Sequence, residues 1–270
     1  MSGVPSSGGR WADLRPRLLS ALVLLVVGVV HVWIGGKLFL ALLSVIIGLM
    51  IWELARMTAR GGPAWLPVAL GLAAGLVLAV DEGVARSPAW LLFPPVALAM
   101  VLTPRLLPLV TGVLTLAYLA AGHAIFVIRD DAGTALFLWV LVVVIVSDVA
   151  GYFAGRILGG PKFWPAISPK KTWSGTVAGW IGAALVGLGF WAAGQGSGLL
   201  PFLSPFVAFA GQMGDIAESW IKRRAGVKDS SHLIPGHGGV LDRFDALSGA
   251  VLFVAALQPL VSLMQLAGGP

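Results

Sequence analysis

The 270 residues are 58% hydrophobic and 11% charged, with a mean hydropathy of +0.92. A soluble domain is typically about half apolar and a quarter charged, so this chain cannot cover a water-facing surface and is expected to be an integral membrane protein. The net charge is +6, and the absence of cysteine excludes disulfides, iron–sulfur clusters, thiolate zinc sites and cysteine nucleophiles.

In chain order, residues 1–9 form a short Gly/Ser-rich head expected to be disordered, inside a cytoplasmic N-terminal segment 1–16. A bilayer crossing takes about 20 mostly apolar residues. Spans are predicted at 18–34, 38–55, 64–80, 88–103, 106–128, 134–155, 173–194, 199–221 and 246–266, nine in all. Gly and Pro punctuate their ends, at Gly35-Gly36, Gly61-Gly62-Pro63, Ser87-Pro88, Thr103-Pro104 and Gly194 to Gly198. The third and fourth spans are short, which leaves a re-entrant or tilted path open for them. No small-residue cleavage site follows the first span, so it reads as a retained helix and not a signal peptide. The expected fold is thus an all-α polytopic bundle of about nine transmembrane helices, with helices 17–140 forming an N-terminal part and 141–270 a catalytic region.

Cationic loops are retained in the cytoplasm. With the N-terminus inside and the C-terminus outside, 15 of the 18 basic residues fall in inner segments, leaving only Lys37, Arg86 and Arg129 outside. The high isoelectric point, near 10.2, therefore reflects inter-span loops and gives no ground for a nucleic-acid partner. Two long inner loops result, 156–172 and 222–245.

The acids are unevenly arranged. Asp13, Glu53, Asp81, Glu82, Asp130 and Asp131 lie at span edges or in loops of the first part, whereas Asp148, Asp215, Glu218, Asp229, Asp242 and Asp245 fall between residues 147 and 245. An acid in an apolar span is costly and marks function or a partner. Asp148 is such a residue, and on a helix it shares a face with Gly151, Tyr152, Gly155 and Gly159. Glycines at that spacing let a second helix approach closely. Pairing of Asp148 with an interior cation is the alternative. Asp215, Glu218 and Lys222 at i, i+3 and i+7 form one stripe with Ser219. Two acids so close need a cation between them or a proton on one. Such oxygen donors suit Mg²⁺, which binds through one or two carboxylates together with substrate phosphates. A simple Glu218–Lys222 helix pair is the competing reading.

The segment from Lys228 to Asp245 holds Pro235, Gly236, His237, Gly238 and Gly239, which cannot be helix and lets backbone N–H groups approach an anion. Asp242 and Asp245, one turn apart with Arg243 between them, exceed what a helix cap needs, although an Asp there also suits an N-cap. Lys170-Lys171 before Thr172 suits phosphate at a helix start, and equally suits a membrane-surface anchor. There is no P-loop, His-Glu-x-x-His or Gly-x-Ser-x-Gly motif. Carboxylates and cations at one membrane face point to a metal-assisted reaction on phosphates.

The run from Ser219 through Lys222-Arg223, Lys228-Asp229, Gly236-His237-Gly238-Gly239 and Asp242-Arg243 to Asp245 closely resembles the signature of the bacterial phosphatidate cytidylyltransferases (CDP-diacylglycerol synthases). Ser168-Pro169-Lys170-Lys171-Thr172-Trp173 and Ser147-Asp148 with Gly155-Arg156 resemble that family's other blocks in the same order, and Ser174 stands where many members carry an acid. The resemblance implies a dimeric all-helical enzyme of the bacterial inner membrane. It implies transfer of the cytidylyl group of CTP to phosphatidate with release of pyrophosphate, dependent on Mg²⁺, with a second cation left open. On that reading Asp215, Asp242, Lys222, Lys228, His237 and Arg243 carry the reaction. Lys170, Lys171, Ser219, Arg223, Gly236, Gly238 and Gly239 bind substrate, and Asp215, Asp242, Asp245 and Asp148 hold metal. Two other classes fit less well. The CDP-alcohol phosphatidyltransferases need an Asp-Gly pair and an Asp-x-x-x-Asp spacing that this chain lacks. A cation-coupled transporter would need polar groups matching the acids in the outer half of the bundle.

Overall fold

The computed structural model describes the backbone of residues 14–83 and 89–257 and the side chains of residues 19–80 and 90–257. The Gly/Ser-rich head, the side chains of Asp13, Asp81, Glu82 and Arg86, and the end of the ninth predicted span lie outside the described residues. Nine α-helices occur among them: α1 (Leu14–Ile34), α2 (Gly36–Thr58), α3 (Leu66–Gly83), α4 (Phe93–Leu102), α5 (Pro108–Asp130), α6 (Thr134–Ile157), α7 (Trp173–Ala192), α8 (Leu200–Ala225) and α9 (Leu241–Ala256). Each overlaps one predicted span, although α9 begins five residues before the span predicted at 246–266. Four of them, α2, α5, α6 and α7, are long and apolar enough to cross a membrane. α4 has 10 residues after a 3-10 turn at Ala89–Leu92, too short for a hydrocarbon core about 30 Å thick. α8 has the length, but its last three turns carry Asp215, Glu218, Lys222, Arg223 and Arg224.

Small residues set the helix pairs, as they do where lipid removes the hydrophobic drive for association. A Cβ on Gly71 would lie 2.6 Å from the Gly48 carbonyl, and one on Gly75 2.7 Å from that of Ser44, so α2 and α3 touch backbone to backbone. The glycine face expected on α6 packs on α7 in the same way: a Cβ on Gly151 would lie 3.1 Å from Gly175 O, and one on Gly179 2.9 Å from Ser147 O. Gly159 does not belong to that face. α6 ends at Ile157, and Gly159 turns the chain with φ 64°. The third close pair is α8 with α9, through Gly211, Gly214 and Gly249.

The fold is not wholly helical. The loop predicted over 156–172 contains an antiparallel hairpin, β1 (Lys162–Trp164) paired with β2 (Ser168–Thr172). Backbone polar groups at a membrane surface need partners, and two short strands provide them locally. Phe163 packs edge-on against Trp173 with ring centres 4.8 Å apart, tying the hairpin to α7. Thr172 caps α7, its hydroxyl accepting from Gly175 N at 3.2 Å. At the far end of α2, buried Arg105 donates to the carbonyls of Met100 and Ala55 and so joins the ends of α4 and α2.

Candidate active site

Three segments distant in sequence meet at the charged ends of α6, α8 and α9. α8 presents Asp215, Glu218 and Lys222 on one stripe. α9 begins at Leu241 and turns Asp242 and Asp245 toward that stripe. The approach is close because neither helix carries a side chain where they cross: a Cβ on Gly249 or Gly214 would collide with the carbonyl of Ala210 or Asp245 respectively.

One carboxylate oxygen from each of Asp215, Glu218 and Asp245 lies within 4.8 Å of the other two. Glu218 is fully buried, and Lys222 reaches it as an ion pair one turn along the helix. Apart from that ammonium, no donor reaches either of its oxygens among the described residues. Lys222 also donates to Asp242 Oδ1 at 2.6 Å. Asp242 in turn accepts from Ser230 N at 3.0 Å and Gly239 N at 2.7 Å. The helix pair and the carboxylate cluster considered from sequence are thus both present, with Lys222 as their common cation. Asp215 is paired with Lys171 from β2, and Ser219 approaches it at 3.4 Å.

A cavity of about 460 Å³ opens beside this cluster, lined by Asp148 of α6, Lys170 and Lys171 of β2, and Asp215, Asp242 and Asp245. Ser147 and Gln212 close its inner wall, joined at 3.4 Å, and Trp180 fixes the amide oxygen of Gln212 at 3.2 Å. Lys170 and Lys171 directly precede the start of α7, where Thr172 is the cap, as expected from the sequence. They sit on a strand, where successive side chains diverge, Lys170 exposed and Lys171 half-buried. A second hollow of about 400 Å³ is lined by Lys228, Asp229, His232, Gly236, His237, Gly238 and Arg243. Asp242 is the hinge between the two, since its carboxylate faces the first cavity while binding the backbone that shapes the second. His237 Nδ1 lies 2.9 Å from Ser20 Oγ, so α1 reaches the rim of the second hollow. Arg223 is exposed and turned back onto Val227 O at 3.0 Å, apart from both hollows.

The model of the cytidylyltransferase family matches residues 15–261, which include every residue of both hollows. The chain belongs to this family. The cytidylyltransferase relatives include proteins named phosphatidate cytidylyltransferase in several bacteria. That of Brucella suis biovar 1 (strain 1330) is 35% identical over 252 residues, covering 88% of this chain and 91% of the relative. Those of Helicobacter pylori (strain ATCC 700392 / 26695), 41% identical over 137 residues, and Staphylococcus haemolyticus (strain JCSC1435), 38% over 143, each cover about half of both chains.

Two residues of this candidate site are not among those the sequence singles out. Glu218 was placed on the stripe, but only the fold shows that it completes a three-carboxylate group with Asp245. The sequence places Glu53 at a span edge. It is fully buried, in the run Met50-Ile51-Trp52-Glu53-Leu54-Ala55, and it binds the loop that carries the second hollow. The cost of an acid in an apolar span, which singled out Asp148, applies to Glu53 with the same force and was the available signal.

Proposed function

We propose that this chain is a phosphatidate cytidylyltransferase of the bacterial inner membrane, with both hollows on the cytoplasmic side and a homodimer as its working form. A phosphate oxygen of phosphatidate attacks the α-phosphorus of CTP in line. The new P–O bond forms as the bond to the bridging oxygen of the β-phosphate breaks, and pyrophosphate leaves with that electron pair. Phosphatidate is already anionic near neutral pH, so no strong general base is needed, and catalysis is mainly positioning and charge neutralisation.

The observation that carries this reading is that Asp215 and Asp245 of the three-carboxylate group line one cavity with Lys170 and Lys171, while Lys222 pairs with Glu218 and Asp242 beside it. Two polyanions repel each other, and only a site rich in both cations and metal-binding oxygens brings their phosphates together. The three carboxylates fit Mg²⁺: all are hard oxygen donors, one oxygen of each lies within 4.8 Å of the other two, and Glu218 has no donor besides the Lys222 ammonium. Asp215, Glu218 and Asp245 would hold the ion, with Asp242 and Asp148 as further carboxylates at the same cavity. Bound Mg²⁺ supplies neutralisation of charge on the phosphate oxygens. Lys170 and Lys171 hold phosphate oxygens from the hairpin side. Lys228, His237 and Arg243 hold the triphosphate from the loop side, where Gly236 and Gly238, both at positive φ, shape the backbone around it.

The reading is tested with purified protein in mixed micelles. Pyrophosphate should be released from CTP only when phosphatidate and Mg²⁺ are both present, with CDP-diacylglycerol formed in equal amount. Release without phosphatidate, or no release in the complete mixture, overturns it.

A further inference from the structure

We infer that Glu53, a buried carboxylate in the N-terminal half of the bundle, is a positioning residue that holds the 228–241 loop and the start of α9 in their working geometry. The inference rests on the proposed cytidylyl transfer for its kinetic consequence, but not for its structural one.

Glu53 lies on α2, far in sequence from the site, and is wholly shielded from solvent. Three donors from the loop, and a hydroxyl shared with Asp242, converge on its two oxygens. Val240 N donates at 3.0 Å and Leu241 N at 2.7 Å, and the hydroxyls of Ser231 and, at 3.1 Å, Ser230 also reach it. Among the described residues no Lys or Arg forms an ion pair with it. Its charge is met by hydrogen bonds alone, a set that leaves a carboxylate well solvated without water. Val240 and Leu241 stand at the start of α9, whose first N–H groups have no partner within the helix. α9 therefore takes its N-terminal partner from another helix, and the negative charge stands at the positive end of the helix dipole.

The connection to the chemistry runs through Ser230. Its hydroxyl lies 3.1 Å from Glu53 and 3.0 Å from Asp242, and its N–H is held by Asp242. Arg56, one turn further along α2, reaches Ser230 O at 3.3 Å. Gly239 shows how close the assembly is: a Cβ there would collide with Ser230 and approach both oxygens of Glu53. The loop is largely exposed at Lys228, Asp229 and His232, yet Ser230 and Ser231 between them are buried. That inward turn reaches Glu53 from one side, and the buried segment from Gly239 to Leu241 reaches it from the other. Lys228, His237 and Arg243 are placed by that turn, and Asp242 by the helix start that Glu53 caps.

The test compares Glu53→Gln, Glu53→Asp and a Ser230→Ala/Ser231→Ala double variant with wild type, each as the full chain in detergent. Glu53→Gln keeps the shape but replaces an acceptor oxygen with a donor facing donors. Amide hydrogen exchange of the 229–241 segment, measured without substrates, should quicken at least ~10-fold in Glu53→Gln while the segments of α6 and α7 stay at wild-type rates. In turnover assays the KM for CTP should rise ~10- to 100-fold, the range typical for lost supporting contacts, with the KM for phosphatidate within about twofold. Glu53→Asp should recover part of both effects. Should Glu53→Gln not fold, the double serine variant carries the same expectation through the two hydroxyls that reach Glu53. Wild-type exchange in the loop, or a CTP KM unchanged despite faster exchange, overturns the inference, as does a uniform rise in exchange over the whole bundle. A wild-type protein inactive on CTP and phosphatidate would instead sink the proposed reaction and leave the exchange result standing.

Discussion

Asp215 and Asp242 are both site carboxylates, yet their surroundings differ enough to separate their roles. Asp215 is one-third exposed and held by the single ammonium of Lys171, whereas Asp242 is buried among Lys222, Ser230 and Gly239. Asp215→Asn should therefore leave the unfolding midpoint near that of wild type and lower kcat at least ~10-fold, the loss typical of disturbing a metal site. Asp242→Asn should do two things at once: lower activity, and cost about 1–3 kcal/mol of stability by leaving buried donors without an acceptor. Thermal unfolding followed by the fluorescence of the 11 tryptophans, alongside steady-state kinetics, distinguishes the two. Equal stability losses in both variants would remove the distinction. Lys170 and Lys171 invite a parallel comparison. Arg at both positions keeps the charge that a membrane anchor needs but changes the donor geometry that a phosphate site needs. The double Arg variant should insert normally yet show a raised KM for CTP or phosphatidate, and the double Gln variant should lose more. Wild-type constants in both, with normal insertion, would leave the anchor as their whole role.

Among the elements, α8 and α9 decide the geometry of the carboxylate group, and two glycines decide how close they come. Gly249 faces Ala210 O and Gly214 faces Asp245 O, with no room for a Cβ at either. Gly249→Leu adds no charge and touches no site residue, but must push α9 outward and carry Asp245 away from Asp215 and Glu218. Overpacking of this kind typically costs about 1–3 kcal/mol, so the variant should fold and yet lose most of its Mg²⁺-dependent turnover. Raising the Mg²⁺ concentration should restore part of the rate, because the ligands are displaced and not removed. Full activity at low Mg²⁺ in Gly249→Leu would show that the α8–α9 distance does not govern the site. The hairpin teaches a different lesson. Its composition, with Pro161, Pro165 and Pro169, argues for a loop, and its strands form because the backbone between α6 and α7 needs hydrogen-bond partners and because Phe163 docks on Trp173.

For the whole molecule, the uneven distribution of basic residues among the inter-span segments predicts an orientation that single cysteines can test, since the chain has none of its own. His232 on the loop and Gln195 before α8 are both exposed, and they flank the 26 residues of that helix. His232→Cys should react with a membrane-impermeant thiol reagent only from the cytoplasmic side, and Gln195→Cys only from the other. Labelling of both from one side would contradict the path assigned to α8. By itself the sequence determined the helical class, the place of each helix, the family and most of the charged residues that meet at the site. Those follow from local and compositional rules: apolar runs long enough for lipid, breaks at Gly and Pro, and charges that apolar spans exclude unless they serve a purpose. Tertiary structure alone decided which charges are neighbours. Glu218 needs α9 beside α8 to join Asp245, Lys171 needs the hairpin to reach Asp215, and Glu53 needs α2 packed beneath a loop nearly 180 residues further along the chain. Hydrogen bonds and ion pairs act over a few ångströms in space, and separation along the chain carries no trace of that distance until the helices pack.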